Sequence, residues 1–421
     1  MAKSKPRKTK LYALIFVAIV ADITFALLVF PPFFSHFFPT NGVKQPLRIL
    51  TPYDTTVQNN LEQAYINSSQ AKGQPIIEIE WIKPESFSPT MIPQYEPDLI
   101  LGGEPWLYNE LQKEGLLQKL ISTRMQTTLA TINDTIGGAP MKGLDSDGDI
   151  VWVATTISSY GFTIDKAWLS AKDLQFPTNW ENLSSPEFGQ FLPIPTISIG
   201  NSYFAHTRTY EIILQKFGWE KGWEILTRLI GNTRISGNTW PPESNQGVYL
   251  SNSINGFISM LENPDTEYYI PVNGSIIIGH PIAICKTTNN QEAAEAFIDF
   301  ILSNEGQSRW ANLEINLLPV LESALNAYTG LPSVMLHDFY NKAKQATSID
   351  FNYSRAFAYE NSLKYYFESV LICAHSDLIS CWTKLVNAYL CMTINKTEFE
   401  SFAAQLGSLI IWNSTTFTEE Y

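Results

Sequence analysis

The segment Asp98–Leu117, DLILGGEPWLYNELQKEGLL, constrains the chain more than any other stretch. Asp98 to Leu101 form a short apolar run with the look of a buried strand. Gly102-Gly103 breaks the run, and a helical spacing of Leu107, Leu111 and Glu114 follows, with Gly115 where a C-terminal cap belongs. Strand, double glycine and helix in that order build a ligand cradle. Glycine lets the backbone come close to a bound group, and a helix start offers unpaired N–H groups. Such a unit is common in α/β proteins, so its meaning depends on the rest of the chain.

The flanking segments supply the sheet. Leu47-Arg-Ile-Leu reads as a strand that ends in the polar turn Thr51-Pro-Tyr-Asp54. Asp54 is placed to cap a helix whose apolar face is Val57, Leu61, Ala64 and Tyr65. Ile77, Ile79 and Trp81 alternate as a second strand. A strand–helix–strand order of this kind predicts a mostly parallel sheet that binds at its strand C-termini. Asp145-Ser-Asp-Gly-Asp149 resembles a calcium loop, but Ile150 stands where the loop needs Gly and Thr156 where it needs Glu. It reads instead as a hairpin turn into Ile150–Ala154. Long amphipathic helices are expected near 207–217 and 220–230.

The 421 residues leave room for two or three domains around a sizeable core. Five positive charges (Lys3, Lys5, Arg7, Lys8, Lys10) precede the apolar run Leu11–Phe30. That run is long enough to span a bilayer, and the flanking charge puts the body outside the cell membrane. An uncleaved single-pass anchor is expected rather than a cleaved signal peptide, because the run is long and no small-x-small site follows. The body after it is acidic within an overall charge of −13, so nucleic acid is excluded as a partner. N-x-S/T triplets at Asn67, Asn133, Asn182, Asn273, Asn352, Asn395 and Asn413 suit a glycosylated extracellular body.

Five segments together resemble the extracellular solute-binding proteins of ABC importers (family 1, type II periplasmic-binding-protein-like). They are Arg48-Ile-Leu-Thr-Pro-Tyr-Asp-Thr-Thr56, Asp98-Leu-Ile-Leu-Gly-Gly103, Ile157-Ser-Ser-Tyr-Gly-Phe-Thr-Ile164, the run from Tyr268 to Ile284, and Asn290–Gln307 with its Ser-x-Glu-Gly-Gln tail. The resemblance implies an α/β, two-lobed periplasmic-binding-protein-like fold with a hinge, here with an N-terminal transmembrane anchor and a C-terminal helical extension. The expected organisation is a basic segment 1–10, an anchor 11–30, a linker 31–45, lobe 1 at 46–156, lobe 2 at 157–278, a return to lobe 1 at 279–325 and the extension 326–421. Ile157–Gly161 and Gly279–Ile284 would be the crossovers between lobes. The implied partners are a small-molecule solute, the membrane subunits of an ABC transporter and the membrane itself through the N-terminal helix.

On that reading the ligand-binding candidates are the loop residues at the matched strand ends. Tyr53, Asp54 and Thr55 come from the first loop, and Gly102, Gly103 and Glu104 from the second. Ser158, Ser159 and Tyr160 line the crossover, Asn201 and Ser202 follow a strand of the second lobe, and Asn238, Trp240, Ser253 and Asn255 complete the set. The adjacent tyrosines with which ferric members of the class bind metal are missing from Asn252-Ser-Ile-Asn-Gly-Phe257, and the five histidines are scattered. No metal and no cofactor is therefore expected. The chain carries none of the familiar hydrolase motifs or Cys/His clusters, so it is not read as an enzyme. A membrane-anchored or secreted hydrolase, or a sensor ectodomain, remains the alternative. The extension is expected to brace the first lobe, with Tyr365, Tyr366 and Phe367 in its core. Cys373 and Cys381 are close enough in sequence to pair across a turn at His375-Ser376, whereas Cys381 and Cys391 on one helix are about 15 Å apart at 1.5 Å per residue, too far to bridge.

Overall fold

The computed structural model describes residues 45–85, 87–191, 197–200, 203–236, 247–312, 315–327 and 333–408. The expected anchor and the candidates Asn201, Ser202, Asn238 and Trp240 lie outside them. Among the described residues no helix is long and apolar enough to cross a membrane.

The first lobe follows the predicted strand–helix–strand order. β1 (Leu47–Leu50) pairs in parallel with β2 (Ile79–Ile82) on one side and with β3 (Leu99–Leu101) on the other. Helix α1 (Thr55–Ala71) joins β1 to β2 and buries Val57, Leu61, Ala64 and Tyr65. Helix α2 (Pro105–Lys113) leaves the double glycine with proline in its first turn, where no N–H is needed. The hairpin reading of Asp145–Asp149 holds. β4 (Lys142–Leu144) pairs antiparallel with the start of β5 (Ile150–Asp165). The three aspartates converge there on Lys119, whose Nζ lies 3.0, 2.6 and 2.8 Å from Asp145, Asp147 and Asp149.

β5 is the axis of the molecule. Its 16 residues are charge-free up to Asp165 and rich in β-branched and aromatic side chains, which favours one long strand. The second lobe comprises β6 (Ile197–Gly200), helices α3 (Tyr203–Phe217) and α4 (Trp219–Gly231), β7 (Thr233–Ser236), β8 (Val248–Asn252), α5 (Ser253–Glu262) and β9 (Thr266–Tyr269). β10 (Ile277–Ile284) then lies between β3 and β5. Along β5 the partner changes at one point: Ser159 pairs with Ile277 of β10, and Tyr160 pairs with Asn252 of β8. The strand thus passes from the β10 pairing to the β8 pairing between Ser159 and Tyr160. The chain returns between Tyr269, which pairs with Phe162, and Ile277, so the whole of Gly279–Ile284 is already paired in the first lobe. A third connection follows helix α8, introduced below, where Ile349 N–H donates to Ser275 O at 3.0 Å and Ile277 N–H to Ser348 Oγ at 3.0 Å.

The Ser-x-Glu-Gly-Gln tail is not the end of one helix. α6 (Gln291–Ile301) stops, and Ser303 caps a new short helix, α7 (Asn304–Trp310), through Gly306 N–H. The fully buried Gln307 donates to Thr155 O and Ile301 O and accepts from Leu321 N–H, tying this helix to β5.

The extension departs from expectation. α8 (Ser333–Gln345) does join the core under the first sheet through Leu336, Phe339 and Tyr340. The helices after it, α9 (Tyr353–Phe367), α10 (His375–Leu390) and α11 (Lys396–Ser408), pack on the second lobe instead. Leu363, Phe367, Leu371 and Leu378 share one apolar cluster with Tyr210, Trp223 and Leu226 of α3 and α4. These helices carry the wide apolar faces that such a stripe needs as a partner. Phe367 is core, Tyr366 packs against Trp219 and Trp223, and Tyr365 is exposed. The expected Cys373–Cys381 bridge is not formed. Both thiols are exposed and free, Cys373 closing the turn Glu368–Ile372 and Cys381 on α10, and Cys285 and Cys391 are free as well.

Candidate interlobe binding site

The glycine loop is fixed by close packing. Gly102 and Gly103 have φ of +90° and +83°. A Cβ on Gly102 would fall 2.7 Å from the Tyr53 ring, and one on Gly103 would fall 2.5 Å from Phe87. Only glycine meets both demands at these positions. The buried Tyr108 hydroxyl donates to Gly102 O and holds the loop from α2.

His280 continues this support. Its Nδ1 lies 2.9 Å from Gly103 O and its Nε2 2.8 Å from Ser158 Oγ. A carbonyl only accepts, so Nδ1 carries the proton and Nε2 accepts from the Ser158 hydroxyl. Burial lowers the imidazole pKa to about 4, against the Gly103 hydrogen bond, so the ring is neutral at physiological pH. A base that weak does not activate serine, and the contact to a backbone carbonyl in place of a carboxylate orients the ring without strengthening it. The pair is a strut between β5, β10 and the glycine loop.

Next to this strut the two lobes meet through charge. Glu104, at the start of α2, accepts from Arg208 Nη2 of α3 at 3.2 Å. Arg208 Nη1 donates to Glu211, one helical turn on, at 2.5 Å. Glu211 is fully buried and its second oxygen finds no partner among the described residues. Burial pushes the Glu211 carboxyl up to about 8; Arg208 pulls the other way, while the charges of Glu360 and Glu104 push further up. Glu104 is raised too, by burial first, against the pull of Arg208. One guanidinium serves both buried carboxyls, and its pull only partly offsets their burial.

Aromatic rings close the site. The Arg208 guanidinium lies 5.1 Å from the Phe357 ring centre and 5.5 Å from that of Phe351, within cation–π range. Phe357 in turn stacks on Trp106 of α2 at 4.1 Å and 18°. Burial, with the Glu104 charge, raises the phenols of Tyr160 and Tyr353.

Of the residues singled out from sequence, the structure brings together Tyr53, Gly102, Gly103, Glu104, Ser158 and Tyr160. Asp54 is exposed and spends its carboxylate on the N–H groups of Thr56 and Val57 as the cap of α1, and Thr55 is exposed beside it. Ser159 is buried on the opposite face of β5, where its N–H donates to Ser253 Oγ and its hydroxyl meets Tyr268. Asn255 lies on α5 near Ser253, its N–H donating to Asn252. His280, Arg208, Glu211, Phe351, Phe357 and Glu360 are additions. A cavity of about 300 Å³ elsewhere, lined by Ser68, Lys72, Arg124 and Asp299, shares no residue with this cluster.

Residues 96–330, more than half of the chain, match the family of bacterial extracellular solute-binding proteins. The chain belongs to that family. A curated relative is the phosphoglycerate transport regulatory protein PgtC of Salmonella typhimurium, 26% identical over 228 residues, 53% of this chain and 53% of that protein. The chain thus spans about half the length of the curated relatives it matches. Among solved structures it is similar to the bacterial solute receptor AcbH (14% identity, TM-score 0.58, 80% of this chain and 97% of that one). It is also similar to the GacH receptor of Streptomyces glaucescens (12%, TM-score 0.56, 82% and 99%) and to the substrate-binding protein PotD of Streptococcus pneumoniae (15%, TM-score 0.52, 77% and 99%). These likenesses establish the two-lobed periplasmic-binding-protein-like fold.

Proposed function

We propose that this solute-binding protein captures a small polar solute between its lobes and delivers it to the membrane subunits of an ABC importer, with no chemistry of its own. One observation carries the reading: the glycine loop and Glu104 of the first lobe, Ser158, Tyr160 and His280 of the connecting strands, and Arg208 and Glu211 of the second lobe meet in one largely buried cluster. A ligand that touches both lobes favours the closed arrangement, because only that arrangement offers it both sets of partners. The division into a first lobe, a second lobe entered at Ser159–Tyr160 and left between Tyr269 and Ile277, and a return to the first lobe belongs to this reading, as do the site residues Tyr53, Gly102, Gly103, Glu104, Ser158 and Tyr160. So does anchoring of the chain through Leu11–Phe30 with the body outside.

The name of the PgtC relative includes phosphoglycerate, an anion. The excess of carboxylates over guanidinium at the present site argues for a different solute.

The test is a thermal-shift screen of the full chain against sugars, amino acids, organic acids, metals and amines, since a ligand that binds only the folded state raises its melting temperature. Hits are expected to lose binding in Glu104→Gln and Tyr160→Phe. A screen without a single stabilising solute, or turnover of a glycoside or ester, would end this reading. Protease added to intact cells is expected to digest the body, and its full protection would end the anchoring part.

A further inference from the structure

We infer that helix α9 of the C-terminal extension is a wall of the interlobe site and that Phe357 is its movable cover. The inference rests on the solute-binding reading for what lies beneath the cover, but not for the motion itself.

The first observation is where α9 is attached. Asn352, the cap of α9, exchanges two hydrogen bonds with Gln215 of α3, at 2.7 and 3.2 Å. Ala356 packs beside Ile212, and Phe367 lies 4.6 Å from Tyr210 and 5.0 Å from Trp223. α9 is therefore part of the second lobe and travels with it.

The second observation is what α9 touches across the gap. Phe357, half-buried, stacks on Trp106, which belongs to the first lobe and follows Glu104 by two residues. The same ring covers the Arg208 guanidinium that reaches Glu104. The ring stack and the ion pair lie side by side across the same boundary, so the lobes cannot part there without breaking both.

The third observation is what the cover encloses. Beside the stack and the Arg208 guanidinium are two buried polar atoms with no partner among the described residues, the carboxyl oxygen Glu211 Oε1 and the donor Trp106 Nε1. Buried polar groups are normally satisfied, so these two point to a ligand with hydrogen-bond acceptors for both the protonated carboxyl and the indole. Glu360, one turn after Phe357 on the same helix, raises the Glu211 and Glu104 carboxyls by its charge. The extension thereby contributes both the lid and part of the electrostatic bias against anions.

The experiment is pulsed dipolar spectroscopy on the ligand-free full chain, with spin labels at Gln126→Cys in the first lobe and Ala171→Cys in the second, both exposed, and the exposed native cysteines replaced by serine. An offset aromatic stack is worth a factor of roughly three to ten in an equilibrium, so Phe357→Ala should move the open-to-closed ratio by about that much toward longer separations. Phe357→Tyr keeps a ring and should retain the parent distribution. Identical distributions for parent and Phe357→Ala, with both folded by circular dichroism, would overturn the inference. The same would follow if Phe357→Tyr opened the lobes as far as alanine. If Phe357→Ala opens the lobes and the solute screen finds nothing, the cover stands and the solute reading fails. If a solute binds and the ligand-free distributions of parent and Phe357→Ala are identical, the solute reading stands and the cover fails.

Discussion

Arg208 Nη2 lies 3.2 Å from Glu104 Oε2, joining the third turn-residue of the glycine loop in one lobe to a buried helix face in the other. The same guanidinium is the only described cation bonded to Glu211. Its value is therefore asymmetric. Removing it breaks one contact between lobes and also strands a carboxyl with no access to water.

Arg208→Met is expected to destabilise the protein by about 1–3 kcal/mol in urea unfolding, the usual cost of leaving a buried polar group without its partner. Adding Glu211→Leu to the same chain should recover most of the loss, because the stranded group is then gone. An additive double variant would show that Glu211 does not depend on Arg208.

Cys373, Cys381 and Cys391 are exposed and free, while Cys285 is buried beneath the first sheet and its thiol is pushed up by burial and by the nearby Asp98 charge. Native protein should therefore titrate three thiols with a disulfide reagent and show the fourth only in denaturant. Fewer than three fast thiols would restore a disulfide in the extension.

Ser159 and Ser158 show how alternation decides a role. Both stand in the crossover motif, and sequence treats them alike. Successive strand residues face opposite sides, so Ser158 meets His280 while Ser159 meets Tyr268 and Ser253. Ser159→Ala should cost about 1 kcal/mol of stability through the lost hydrogen bond and leave solute affinity unchanged. A large loss of affinity, measured by calorimetry with a solute from the screen, would place Ser159 at the ligand after all.

The glycine loop was legible because its constraint is local: two positive φ values need two glycines, and the apolar run before them needs a strand. Asp54 was legible as a cap for the same reason. Arg208 and Glu211 were not, because an Arg and a Glu three apart on a helix read as an ordinary solvated pair until the tertiary structure buries them. Phe357 and Trp106 are 251 positions apart, and no periodicity links residues that meet only when a late helix folds onto the second lobe. The misplacement of the extension has that origin. An amphipathic stripe specifies that a helix is covered, and says nothing of which lobe covers it.

Two buried groups give the stability a pH signature. The Glu211 carboxyl is raised from 4.5 to about 8, so the folded state holds this proton more tightly than the unfolded chain. Its contribution is fully present below pH 4.5 and is lost as pH rises through 8. His280 is lowered from 6.5 to about 4, so its contribution is present above pH 6.5 and is lost as pH falls toward 4. Between pH 4.5 and 6.5 the two oppose each other, and stability should be nearly flat. Between 6.5 and 8 His280 is neutral in both states, and stability should fall with a slope of at most about 1.4 kcal/mol per pH unit for one proton. Glu104, raised by burial, contributes with the same sign as Glu211. Urea midpoints measured from pH 4.5 to 8.5 test this directly. Glu211→Gln carries no proton to lose, so its profile should be flat above 6.5 whatever its absolute stability. A parent profile that rises across that window would mean that Glu211 is ionised in the folded protein and that Arg208 alone is enough to hold it.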